Sequence, residues 1–141
     1  MSIYKTEIMG TGLKIFSEKA TTKDVEQFTE FFNSKCADGW NLLSYSYAPN
    51  TFNIKHVILA TFVKGDSSYE YKTELIGGKR KAITSNTTQS DADSMNNALE
   101  EFSADGWELV TYCLMSNLDA TSVLTFTSKG VLLATFRRKM Q

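Results

Sequence analysis

An α+β fold of two tandem ββαββ repeats is what this sequence predicts, and three recurring peptides predict it. Ala104-Asp105-Gly106-Trp107-Glu108-Leu109-Val110 echoes Ala37-Asp38-Gly39-Trp40-Asn41-Leu42-Leu43, 67 positions earlier. Tyr4-Lys5-Thr6-Glu7 and Tyr71-Lys72-Thr73-Glu74 are also 67 apart, whereas Leu59-Ala60-Thr61-Phe62 and Leu133-Ala134-Thr135-Phe136 are 74 apart. A constant spacing over whole segments marks a duplicated unit rather than one recurring peptide. The second copy holds its extra seven residues between its Trp strand and its last strand. The expected repeats span 3–65 and 69–140 of one compact domain, 1–141. An antiparallel sheet is expected with both helices packed on one face, the repeats related by a pseudo-twofold axis.

In the first repeat, Ile3 to Met9 alternates as a half-buried strand does, Tyr4, Thr6 and Ile8 on one side and Lys5, Glu7 and Met9 on the other. Gly10-Thr11-Gly12 supplies a permissive turn, and Leu13 to Phe16 resumes extended character, giving a hairpin. These glycines join two strands rather than opening a helix, so they do not form a phosphate-cradling loop. A helix is predicted over Lys23–Ala37, capped by Thr21 or Thr22, with Val25, Phe28, Phe31, Phe32 and Cys36 as its apolar stripe. Gly39 ends it. The next strand, Trp40 to Ala48, would put Trp40 and Leu42 on one face and Leu43, Tyr45 and Tyr47 on the other. Since one helix covers one face, the tyrosine face should meet the other repeat, a second protomer or a ligand. Pro49-Asn50 turns the chain into a returning strand, Asn53 to Lys64.

The joint Gly65-Asp66-Ser67-Ser68 is too short for independent domains, so the halves should pack together. The second repeat follows the same plan. Its strands are Tyr69–Ile76 and Lys79–Thr84, its helix starts at a Ser90/Asp93 capping box, and Met95, Ala98, Leu99 and Phe102 form the stripe. Ala104-Asp105-Gly106 closes that helix and Val131–Lys139 finishes the sheet. The insertion, Met115 to Gly130, should lengthen the last hairpin, as a dimer arm, a ligand-covering flap or a plain loop. The repeated Gly-Trp reads as a packing device, the glycine turning the chain sharply and the indole lying back over the helix's last turn, with a ligand-stacking platform as the alternative that duplication in matching positions disfavours.

Composition bounds function. Fifteen basic and sixteen acidic residues in 141 leave a net charge of −1, which argues against a nucleic-acid or membrane partner held by bulk charge. Cys36 and Cys113 are isolated thiols, suggesting neither a disulfide framework nor zinc, and a reducing cytoplasm is expected. No apolar run of signal-peptide length begins the sequence, and no eighteen consecutive apolar residues occur, so neither export by that route nor a membrane span is expected.

The run Tyr-Lys-Thr-Glu, an amphipathic helix ending in Asp-Gly-Trp-Glu-Leu-Val, and a last strand Leu-Ala-Thr-Phe-Arg-Arg resembles a small bacterial and phage domain family of unknown function with a Gly-Trp-Glu-Leu signature. The match covers Tyr71 to Lys139. The first repeat is a degenerate copy, with Asn41 where that family usually carries Glu. The resemblance implies architecture and no catalytic residues.

Catalysis needs a nucleophile, a base and an orienting group, and the residues supply no such constellation. His56 lacks Cys, His or acid at ligand spacing. Glu7 and Glu74, equivalent in the repeat, are the one acid pair that could meet across a pseudo-twofold axis. No metal or cofactor is expected, and the chain reads as a non-enzymatic binding protein. The chemistry that remains is a tyrosine face, Tyr45, Tyr47 and Tyr112, with two basic runs, Lys79-Arg80-Lys81 and Arg137-Arg138-Lys139. Arg80, Arg137 and Arg138 offer bidentate donors and the tyrosines offer stacking faces, which suits a small anionic ligand such as a nucleotide signal. The alternative is a structural or protein-interaction module, and a homo-oligomer is expected in either case. A third reading, an enzyme, would need the Glu7 and Glu74 pair or His56 in a cleft.

Overall fold

The computed structural model describes residues 2–10, 18–47, 57–76, 89–117 and 129–140. Its elements are β1 (Tyr4–Gly10), α1 (Glu18–Ala37), β2 (Trp40–Tyr47), β3 (Val57–Lys64), β4 (Tyr69–Ile76), α2 (Gln89–Ala104), β5 (Glu108–Asn117) and β6 (Lys129–Lys139). This is an α+β arrangement with two three-stranded antiparallel sheets, ordered β1-β3-β2 and β4-β6-β5, in place of one continuous sheet. The hairpin strands expected at Leu13–Phe16 and Lys79–Thr84 lie outside the described residues.

The registers of the two sheets correspond pair by pair. Thr6 faces Thr61 and Glu7 faces Ala60; Thr73 faces Thr135 and Glu74 faces Ala134. Each Thr pair joins its hydroxyls at 2.9 Å. Gly39 and Gly106 take φ of 87° and 85°, the left-handed geometry that only glycine adopts without strain, and each releases its chain from a helix into a strand. Helix α1 starts earlier than Thr21 or Thr22 would cap it, because Glu18, Lys19 and Ala20 are good helix formers and carry it back another turn.

An irregularity in β2 between Leu42 and Ser44 changes its face assignment. The pairs Trp40 with Lys64, Leu42 with Phe62, Tyr45 with Ala60 and Tyr47 with Ile58 put all four β2 residues on the α1 side. Leu43, the extra residue, turns outward and is 50% exposed. The expected split of Trp40 and Leu42 from Leu43, Tyr45 and Tyr47 is therefore replaced by one apolar face. Strand β5 carries the same irregularity between Leu109 and Thr111.

The main core joins Phe28, Phe32 and Cys36 of α1 to Leu42, Tyr45, Ile58 and Phe62, and extends to Tyr71 and Leu133 of the other sheet. The Phe32 and Tyr45 rings stack 5.7 Å apart. A second core joins Met95 of α2 to Ile76, Leu132, Ala134 and Phe136, with Leu99, Phe102 and Trp107 at its margin. Helix α1 thus serves both sheets. Asn33 accepts from the Tyr71 amide at 2.7 Å and donates to its carbonyl at 3.2 Å, and Thr29 accepts from the Thr73 amide at 2.9 Å. These side chains occupy the hydrogen-bonding edge of β4, which would otherwise be open to pairing.

Candidate functional site

Strand alternation sends the three cations at the end of β6 to opposite faces. Arg137 lies 4.1 Å over the Tyr69 ring and donates from Nε to Glu108 Oε1 at 2.6 Å. Partial burial pulls its pKa down, but the Glu108 carboxylate and the Tyr71 hydroxyl outweigh that and hold it above the ordinary arginine value. On the other face Arg138 lies 4.2 Å over Trp107, donates from Nε to Glu70 Oε1 at 2.5 Å, and reaches the Asp105 carbonyl at 3.3 Å. Lys139 pairs with Asp66, whose carboxyl is held far below the usual range by Lys139 first and by Ser68 next.

Around these groups lies a cleft of about 650 Å³ bounded by Tyr69, Glu70, Asp105, Glu108, Arg138 and Lys139. Three carboxylates face two cations there, so an anion would have to displace carboxylates to reach either one.

The tyrosines named from the sequence occupy three environments. Tyr45 is 5% exposed; its hydroxyl donates to the Leu133 carbonyl at 3.0 Å and shares a 2.9 Å hydrogen bond with Thr135 Oγ1. Burial pushes its phenol far above the ordinary value of 10.0. Tyr47 is half-buried beside Cys113, and burial followed by that thiol raises its pKa. Burial likewise pushes the Cys113 thiol up to about 11, against a hydrogen bond from the Tyr47 backbone. Tyr112 is 54% exposed. Because Cys113 faces Tyr47, its neighbour Tyr112 points to the opposite side of β5. The structure therefore brings Arg137 to Tyr69 and Tyr71, and not to Tyr45, Tyr47 or Tyr112. Arg80 and His56 lie outside the described residues.

Tyr112 instead stands at an apolar groove of about 310 Å³ between α2 and β5, with Met95, Leu99, Leu109 and Leu132 among its walls. Sequence reasoning missed this groove and missed Tyr69. The signal for Tyr69 was present: it sits two residues before Tyr71 on one strand face, directly opposite Lys139. No residue of the groove itself marked it as open.

Glu7 lies on the α1 side of its sheet, where Lys35 takes it at 2.5 Å, while Glu74 pairs with Ala134 on the α2 side of the other sheet. The two acids share no cleft. Among the described residues no cluster of three His, Cys, Asp or Glu could hold a metal ion, and no helix is long and apolar enough to cross a membrane. No family model matches the chain, and neither a curated protein nor a solved structure matches it.

Proposed function

We propose that this chain is a non-enzymatic binding module that works through apolar surface contact. One observation carries the reading. Arg137, Arg138 and Lys139 each already hold a carboxylate, whereas Tyr112 at the α2–β5 groove and Tyr4, Ile8 and Leu59 on the outer face of the β1-β3-β2 sheet are exposed. Soluble monomers seldom leave such residues grouped, and contact surfaces often do. The duplicated 67-residue spacing, with matched registers and glycine caps, supports a tandem pair of units, each β-α-β-β among the described residues. Kinship with the Gly-Trp-Glu-Leu domains rests on the sequence resemblance.

Capture of a small anion such as a nucleotide is the second reading, favoured by the cleft beside Arg138, Lys139 and the Tyr69 ring. Native mass spectrometry of the purified protein, before and after incubation with nucleotides and cyclic oligonucleotides, separates the readings. The contact module is expected to show no adduct and no turnover. A retained, unchanged nucleotide lost on Arg138→Ala would establish capture instead, and conversion of the nucleotide would establish an enzyme.

A further inference from the structure

The groove beside α2 is the open counterpart of a place that is filled in the first half of the chain. By the 67-residue offset, Ala92, Met95, Asn96, Leu99, Leu109 and Tyr112 correspond to Val25, Phe28, Thr29, Phe32, Leu42 and Tyr45. Five of those first-half residues belong to the core shared with the other sheet, and the sixth, Thr29, holds the β4 edge. What fills the first-half position is one face of β4 and β6: Tyr71, Thr73, Leu133 and Thr135, each at most 5% exposed. That face also has an open counterpart. Tyr4, Thr6, Leu59 and Thr61 occupy the same register on β1 and β3, with the same 2.9 Å Thr–Thr hydrogen bond, and Tyr4 and Leu59 are 53% and 46% exposed.

We propose that the protein self-associates head to tail, the outer face of β1 and β3 of one copy docking into the α2–β5 groove of the next and repeating the chain's own internal interface. The proposal rests on reading the groove as a contact surface and names its occupant as a second copy. In the docked pair Tyr112 reaches the neighbour's Leu59 carbonyl and Thr61 hydroxyl, as Tyr45 reaches Leu133 and Thr135 within the chain. Asn96 accepts from the Thr6 amide, as Thr29 does from Thr73. The pattern departs at one position. Glu100 stands where Asn33 both accepts from and donates to one residue of β4, and a carboxylate can only accept, so the intermolecular contact loses one hydrogen bond. Because the two surfaces differ, the contact is heterologous and adds copies in one direction.

Sedimentation velocity over a concentration series tests this with Ile8→Lys and Tyr112→Lys, at positions 69% and 54% exposed, so that neither change enters the core. Circular dichroism and thermal melting verify that both variants fold. Wild type is expected to grow beyond a dimer, each variant alone to stay monomeric, and an equimolar mixture to form a one-to-one heterodimer that grows no further. Glu100→Asn should tighten wild-type association by up to about tenfold. A wild type that stays monomeric, variants that associate like wild type, or a variant that dimerises alone would each overturn the proposal. The contact-module reading is decided separately, by the nucleotide adduct.

Discussion

Tyr45 and Tyr112 follow the same glycine cap and β-bulge by the same number of residues, yet one is 5% exposed and the other 54%. The backbone around them is alike; their neighbours are not. Tyr45 lies under the β4-β6-β5 sheet, while among the described residues no equivalent sheet lies above Tyr112. The position before the recurring leucine, Leu42 or Leu109, follows the same division. Asn41, buried, bonds the Tyr71 hydroxyl at 3.3 Å and accepts from Cys36 at 3.4 Å, whereas its counterpart Glu108 is exposed and pairs with Arg137. A carboxylate at position 41 would lose its solvent on burial, and Val63, the counterpart of Arg137, would offer it no charge. The two matching segments thus differ where burial differs and stay alike where only backbone geometry matters.

The contrast is broken most strongly through Phe32 and its counterpart Leu99. Phe32→Ala is expected to cost about 3–5 kcal/mol in urea unfolding, because the ring is fully buried against both sheets. Leu99→Ala, at the margin of the smaller core, should cost no more than about half of that. Equal losses would mean that the two helices bear on the fold alike.

The tyrosine hydroxyls sharpen the comparison at intermediate size. Tyr45→Phe should cost about 1–2 kcal/mol and Tyr112→Phe almost nothing to the monomer, measured by the same unfolding. Tyr45 has a folded pKa raised above its unfolded value, so its contribution is complete below pH 10 and is lost as pH rises beyond that. Wild-type thermal stability should therefore fall above pH 10, and less steeply in Tyr45→Phe. Part of the slope remains, since burial raises Tyr47 and Tyr71 as well.

The smallest difference is expected at the caps. Gly39→Ala and Gly106→Ala force a side chain into the left-handed region without a clash and should each cost about 1–2 kcal/mol, equally in both halves. Unequal costs in thermal melts would show that the caps have diverged as the tyrosines have.

Much of the fold was legible in the sequence because local chemistry decides it. The helical stripes, the Gly39 and Gly106 caps and the strands Tyr4–Gly10 and Tyr69–Ile76 follow from periodicity and backbone preference. The bulge at Leu43 was not legible, since one inserted apolar residue in an apolar strand leaves no polar marker of the phase change. The candidate site was less legible still. Which of two like tyrosines is buried depends on residues some ninety positions away, and Asn41 in place of Glu was the local sign of it. The basic run Arg137-Arg138-Lys139 read as one patch, but strand alternation and the partners Glu108, Glu70 and Asp66 divide it among separate ion pairs.

The hydrogen bonds of Tyr45 span 88 and 90 residues of sequence, and they bear on how the chain is made. As the polypeptide leaves the ribosome, α1 and β2 emerge long before the strand that will roof them. Until Leu133 and Thr135 arrive, Phe32 and Tyr45 present an apolar surface to whatever is near, including other nascent chains. Contacts of such separation form slowly because a long loop must close first. The nascent first half is therefore the stage at which this core stands open, and slowing translation after residue 64 would lengthen that exposure.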